Sequence, residues 1–374
     1  TFGNSDYTFA FIWLSITLLF TQLSSGQLAL LQGMRKLQYL AKASLSGSSI
    51  GLLVNIPLYY FFGLKGIVPA MICTSVISLS MSWYFARKIK IAKIKATKAI
   101  VIAEGKNMVK MGVILSISGL ISLASSYIVR VYISSFGDVA QVGLYTAGFA
   151  IISTYVGLIF SAMGTDYYPR LAAVAYDNTL CKQTINQQAE IAILILAPII
   201  MVFLVFIQWV VILLYSSKFI AINEMIHWAA LGMIFKTASW AIGFILLAKG
   251  SAKLFFYNDL FSNIYLLALN LLGYKFWGLT GMGMSFLVGY FLHFIQMFLM
   301  GRILYQFSFD KSFIRVFSFQ VVLAISCFLV VKFFNSPLTY ILGGVLILVS
   351  TFFSYRELDK RIDIKQIISK FRKK

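Results

Sequence analysis

Acidic side chains are what this sequence has least of. Its 374 residues include 12 Asp or Glu against 32 Lys or Arg, and charged side chains of both signs make up only 12%. A soluble domain is about a quarter charged, and a chain this poor in charge would leave wide apolar patches in water. A soluble globular protein is excluded. Disorder is excluded too, because disordered segments need low hydrophobicity. Cysteine is sparse: Cys73, Cys181 and Cys327 are odd in number and scattered, which suggests neither a disulfide framework nor a metal site. Two histidines, without H-E-x-x-H or paired cysteines, leave nothing from which to build a zinc centre. A Walker loop is also missing, so direct ATP hydrolysis has no phosphate cradle.

What is present is apolar. Hydrophobic residues make up 60%, mean hydropathy is +0.86, and 34 Phe with 20 Tyr supply side chains suited to lipid and its interfaces. A spanning helix needs roughly 20 mostly apolar residues. Eleven stretches qualify: 8–31, 44–62, 67–86, 108–134, 138–163, 190–214, 225–249, 254–273, 279–300, 313–334 and 337–355. The short alternating segments of a membrane barrel do not occur. The spacing predicts an all-α polytopic membrane protein.

Loop cations set the orientation. With 8–31 running from outside to inside, 26 of the 32 Lys and Arg fall in inner loops and the tail, and three (Lys65, Lys218, Lys275) in outer loops. The C-terminus is then cytoplasmic, and the net charge of +20 is an insertion signal rather than a nucleic-acid surface. The loop Arg87–Lys98 and the tail Arg356–Lys374 are basic and partly amphipathic. They act as topology anchors or rest on an anionic inner leaflet.

The sequence also repeats itself. Phe62-Gly63-Leu64-Lys65-Gly66 matches Trp277-Gly278-Leu279-Thr280-Gly281 at an offset of 215, and Arg87 matches Arg302 at the same offset. Leu30-Leu31 with Gly33, Lys36 and Leu37 resembles Leu246-Leu247 with Gly250, Lys253 and Leu254 at 216 to 217. Transporters are often built from internal repeats. On this plan 1–104 is the second half of an N-terminal lobe, 105–305 a six-helix C-terminal lobe, 306–356 an extra helix pair and 357–374 a basic tail. The first three helices of 105–305 have no upstream counterpart. The expectation is a two-lobe exporter-type bundle of fourteen helices, seen here without its N-terminal three.

Several stretches carry a family resemblance: Gln27-Leu28-Ala29-Leu30-Leu31-Gln32-Gly33, Gly63-Leu64-Lys65-Gly66-Ile67-Val68-Pro69-Ala70 and Asp166-Tyr167-Tyr168-Pro169-Arg170-Leu171. Ile234-Phe235-Lys236-Thr237-Ala238-Ser239-Trp240 and Leu246-Leu247-Ala248-Lys249-Gly250 complete the set. The chain resembles the O-antigen and oligosaccharide flippases of the multidrug/oligosaccharidyl-lipid/polysaccharide exporter superfamily. That resemblance implies a carrier in the bacterial inner membrane. It would move an undecaprenyl-pyrophosphate-linked oligosaccharide from the cytoplasmic to the periplasmic leaflet by alternating access, without covalent chemistry. It implies no cofactor beyond a coupling H+ or Na+. Its implied partners are the lipid-linked oligosaccharide, membrane lipids, and the polymerase and ligase of the same pathway.

Lys236 sits at the middle of 225–249, about 17 Å from either end at ~1.5 Å per residue. A cation at such a depth costs roughly 2.5–3.5 kcal/mol and needs compensation. It lines a wet cavity and binds pyrophosphate or an acidic sugar, or else it pairs with a carboxylate and locks helices together. Nearby Gly232, Ser239 and Gly243 fit close helix approach or cavity lining. Arg130 lies near the outer end of 108–134, within reach of headgroups or of the cavity's anion field. Asp259, Asn263 and Asn270 form one stripe on 254–273. The stripe binds sugar hydroxyls, or Asp259 answers Lys236, or Asp259 takes a coupling proton or sodium ion. Asp138, Gln141 and Tyr145 make a weaker stripe, and Thr17, Thr21 and Ser24 another. Asp166, Arg170 and Glu190 gather at the inner mouth as a candidate ion-pair gate or as ordinary loop charges.

Two rival readings remain. An ion-coupled multidrug exporter of the same fold would need acidic cavity groups for its cationic drugs, whereas the deepest charge here is basic. A membrane polymerase or ligase would need a large outer loop, and the longest here, near Tyr215–Glu224, has only about ten residues.

Overall fold

A computed structural model describes residues 8–89 and 97–362. The basic stretch 90–96 and the tail beyond 362, where leaflet contact was expected, lie outside the described residues. All regular structure among the described residues is helical, in ten α-helices and two 3-10 turns. Only helices satisfy their own backbone hydrogen bonds in hydrocarbon without closing a barrel. The chain folds as two compact units, Thr1–Lys98 and Ala99–Lys374.

The first unit holds α1 (Thr8–Gly33), α2 (Leu37–Phe62), the 3-10 turn Gly63–Gly66 and α3 (Ile67–Arg87). Lipid gives packed helices little hydrophobic incentive, so small residues and interhelical hydrogen bonds hold them. Ser24 of α1 donates to the Ser78 carbonyl of α3 (3.2 Å) and also bonds the Ser82 hydroxyl (3.1 Å). Gly47 and Gly51 of α2 are buried against Ser78 and Thr74 of α3.

The second unit runs α4 (Lys98–Phe136), α5 (Val139–Ala173), α6 (Asn178–Leu214), a 3-10 turn (Ser217–Ile222), α7 (Asn223–Ala248), α8 (Ala252–Tyr305), α9 (Lys311–Phe333) and α10 (Leu338–Ile362). Its core lies around α6 and α7, and Tyr167 of α5 is fully buried there, donating to the Ala241 carbonyl of α7 at 2.5 Å. The last helix pair is fastened to this core. Asn186 of α6 holds the Ser308 carbonyl (3.1 Å) and the Asp310 amide (2.9 Å), and Lys332 of α9 pairs with Glu224 of α7. Between α9 and α10, buried Gln320 bonds Ser354 (2.9 Å) and Ser350 (2.7 Å).

Nine helical stretches among the described residues are long and apolar enough to cross a membrane. Two of them, Leu37–Arg87 with 51 residues and Ala252–Tyr305 with 54, exceed twice a ~30 Å hydrocarbon core at ~1.5 Å per residue. Each turns back at a glycine with positive φ, Gly63 (φ 53°, ψ −130°) and Gly278 (φ 57°, ψ −138°). Counted on both sides of these corners, the nine stretches contain all eleven predicted spans.

The two corners stand 215 residues apart, and so does the turn before each hairpin. Amides 34, 35 and 36 bond carbonyls 30, 32 and 31, while amides 249, 250 and 251 bond carbonyls 245, 247 and 246. This corrects the offset of 216 to 217: the left-handed residue matching Gly250 (φ 65°) is Arg35 (φ 53°), not Gly33. Sequence matching aligned the two glycines. The backbone aligns the two residues that reverse the chain, and one of those is an arginine.

Candidate functional site

In the second unit α7 and α8 approach closely. A Cβ on Gly232 of α7 would fall 2.9 Å from the Leu287 Cα of α8. Lys236 lies one turn further along α7, half-buried, at the middle of the helix. Among the described residues, no carboxylate comes within ion-pair distance of its ammonium. The ammonium instead stands 4.9 Å from the Tyr290 ring centre and 5.6 Å from that of Phe286, both on α8. Aromatic faces attract a cation through their quadrupole without neutralising it. The pairing of Asp259 with Lys236 is therefore not formed.

Tyr290 borders two cavities. The larger, about 440 Å³, lies among α4, α7 and α8 and is walled by Trp240, Tyr290 and His293 together with Asn258, Asp259 and Asn263. The smaller, about 160 Å³, takes Asn270 and Tyr145, with Ser122, Asn263 and Tyr290 shared between the two. The stripe Asp259, Asn263 and Asn270 thus faces cavity along its length. Asn263 donates to the Asp259 carbonyl (2.9 Å), while Oδ2 of Asp259 is buried with the Ser118 hydroxyl of α4 as its neighbouring donor. Gln296 donates to the Asn258 side chain (2.7 Å) and leaves its own Oε1 buried and unpartnered. The Tyr265 hydroxyl meets Nδ1 of His293 at 3.3 Å.

Other predicted residues fall elsewhere. Arg130 is exposed on α4, near Tyr145. Asp138 is the N-cap of α5, accepting from the Gln141 amide at 2.7 Å, and Gln141 in turn accepts from Tyr274 (2.6 Å). A cap of this kind satisfies an orphan helix donor, so Asp138 and Gln141 start α5, while Tyr145 walls the smaller cavity. Thr17 is unpartnered and Ser24 holds α3.

Asp166, Arg170 and Glu190 do line one cavity of about 630 Å³, together with Arg361. Their pairing differs from the expected gate. Arg170 donates to Gln188 (2.8 Å), and buried Glu190 accepts from Nε of Arg361 (2.6 Å), which also bonds Glu357 and Ser312. Two helix ends explain this. α6 begins at Asn178, capped by Asp177, rather than near 190, so Glu190 lies inside it. α10 continues to Ile362, which puts Arg361 on a helix rather than in a tail. Hydropathy marks where a helix is apolar, not where it stops.

Tyr290, His293 and Gln296 were not singled out by the sequence, and Trp240 only as the end of the Ile234–Trp240 stretch. Helical spacing is a second signal for Trp240, which stands four residues after Lys236 on the same face of α7.

The family model described as a polysaccharide biosynthesis protein matches residues 1–224. The solved structure of the lipid II flippase MurJ, in an inward closed conformation, matches with a TM-score of 0.60 and 15% identity, over 93% of this chain and 74% of that one. That likeness shows the fold. No curated protein matches the chain.

Proposed function

This chain belongs to the polysaccharide biosynthesis protein family, and on that premise we propose that it is a flippase for a lipid-linked oligosaccharide. Its cargo is an undecaprenyl-pyrophosphate-linked unit of O-antigen or another surface polysaccharide. The cargo moves from the cytoplasmic to the periplasmic leaflet of a bacterial inner membrane as two lobes alternate in access. One observation carries this reading: an ammonium with no counter-ion among the described residues, held by aromatic rings halfway along a membrane helix. A cation kept there at a cost of roughly 2.5–3.5 kcal/mol is explained by an anionic passenger, and the pyrophosphate head is a strong anion. Lys236 is the residue that meets it. Arg130, near the C-terminal end of α4, adds to the anion field. The cavity holding Asp166, Arg170 and Glu190 is the cytoplasmic gate, with Arg361 as the partner released on opening. The likeness to a lipid II flippase supports the same cargo class.

The test is translocation of a fluorescent lipid-pyrophosphate oligosaccharide by the purified chain in vesicles, beside export in cells. Lys236→Ala inserts normally and abolishes transport, whereas Lys236→Arg keeps part of it. Wild-type transport by the Ala variant overturns the reading.

A further inference from the structure

The cavity of about 440 Å³ walled by Trp240 and Tyr290 has a chemical character that a phosphate does not match. Among the described residues its wall holds no lysine or arginine. Its acidic group is the Asp259 carboxylate, whose Oδ2 is buried with no donor but the Ser118 hydroxyl beside it among the described residues. Buried acceptors short of donors are costly, and a pyrophosphate, which only accepts, would do nothing for the carboxylate oxygens. A ligand rich in donors would satisfy them. The wall also offers two aromatic faces on different helices, Trp240 of α7 and Tyr290 of α8. At about 440 Å³ the space is far larger than a bare cation needs, since one water occupies only about 30 Å³. Donor-rich and ring-shaped describes a sugar.

We propose that this cavity is the subsite for the sugar joined directly to the pyrophosphate. The proposal rests on the flippase reading and adds where the glycan is read. Asp259 accepts from ring hydroxyls, Asn263 and Asn258 bond beside it, and Trp240 lies against a ring face. Lys236 and Trp240 are one turn apart on α7, with Cβ atoms about 5–6 Å from each other. That spacing suits a ligand whose phosphate is bonded to its first sugar carbon. Tyr290 joins the two parts, because it holds the Lys236 ammonium and also walls the sugar cavity.

The test uses the full chain in detergent and two probes: a short polyprenyl pyrophosphate, and the same lipid carrying one N-acetylhexosamine. The wild type binds the glycosylated probe more tightly. Asp259→Asn, which keeps shape and removes charge, lowers that preference about ten-fold, as expected for losing hydrogen bonds to a charged group. Trp240→Leu lowers it by a similar factor and Trp240→Phe by less. None of the three changes binding of the sugar-free probe. Lys236→Ala weakens both probes equally. If the wild type shows no preference, or if Asp259→Asn weakens both probes alike, the subsite is wrong while the flippase reading stands. If removing sodium reproduces the Asp259→Asn effect, the cavity is a cation site and the proposal falls. If the wild type binds neither probe, the flippase reading itself fails.

Discussion

Helices α1–α3 and the pair α7–α8 are two versions of one hairpin scaffold, and they differ in what they carry. The shared part is backbone. In both, a left-handed residue ends the first helix, and in both a left-handed glycine turns the corner 28 residues later. Three residues past each corner a second glycine lies against the carbonyl eight residues before it: Gly66 against Leu58, and Gly281 against Gly273. Even a tight contact is shared with its partners exchanged, Gly51 against Thr74 in one copy and Leu266 against Gly289 in the other. The side chains part company. Where the second copy has Lys236, Trp240, Asp259, Asn263 and Tyr290, the first has Thr21, Ser25, Ser44, Ser48 and Ser75. Small hydroxylated residues suit helix packing in lipid; charge and aromatic rings do not arise from that need. The scaffold therefore accounts for the corners, and only a task peculiar to the second copy accounts for the ionisable pair.

The corner is the strongest place to break the likeness. At Gly281 a Cβ would collide with the backbone of Gly273, and neither side can move as a flexible side chain would. Gly281→Ala should cost at least the roughly 1–3 kcal/mol of ordinary overpacking, read as a fall in melting temperature of the detergent-solubilised protein. Gly66→Ala meets the Leu58 carbonyl less severely and should cost less. Equal tolerance of both substitutions would mean that the two corners are not held by the same contact.

Much of this scaffold could be read from residue order. Apolar length located the eleven spans, and the Gly-Leu-x-Gly match located both corners, because a turn that admits only glycine leaves a mark in sequence. The Arg35 turn left none, since backbone hydrogen bonds make it and an arginine occupies the left-handed position. The depth of Lys236 was legible from span arithmetic; its holders were not. With 34 Phe and 20 Tyr in the chain, nothing marks Tyr290 and Phe286 as the two rings beneath it. Glu190 and Arg361 are 171 residues apart, and their pairing depends on polar helix ends that hydropathy does not register.

A feature with no counterpart in the first unit is the α9–α10 hairpin, fastened at one end through Arg361. The Glu190 carboxylate is 8% exposed and Arg361 20%. Removing one member of a buried pair strands the other, at a cost of up to about 3–5 kcal/mol; Glu357, which also holds Arg361, does not relieve Glu190. Arg361→Met should therefore destabilise the fold by about 2 kcal/mol. Lys360→Met, which loses only an exposed i,i+3 pair with Glu357, should cost under ~0.5 kcal/mol. If the two variants melt together, the hairpin is held by its apolar face and the Gln320 network instead.

The finest distinction lies at the left-handed position that opens each hairpin. The second copy fills it with Gly250 and the first with Arg35. An L-residue in this region costs about 1–2 kcal/mol relative to the right-handed helix, and Asn less than most. No atom lies within 4 Å of a Cβ built on Gly250, so substitution there meets strain without collision. Gly250→Ala should lower stability by about 1 kcal/mol and Gly250→Asn by about half as much, measured in the same melts. That graded response would show that the first copy already bears this strain at Arg35. A flat response would mean that the turn relaxes to another backbone state, and that the matching hydrogen bonds at 34–36 and 249–251 can be satisfied without a left-handed residue.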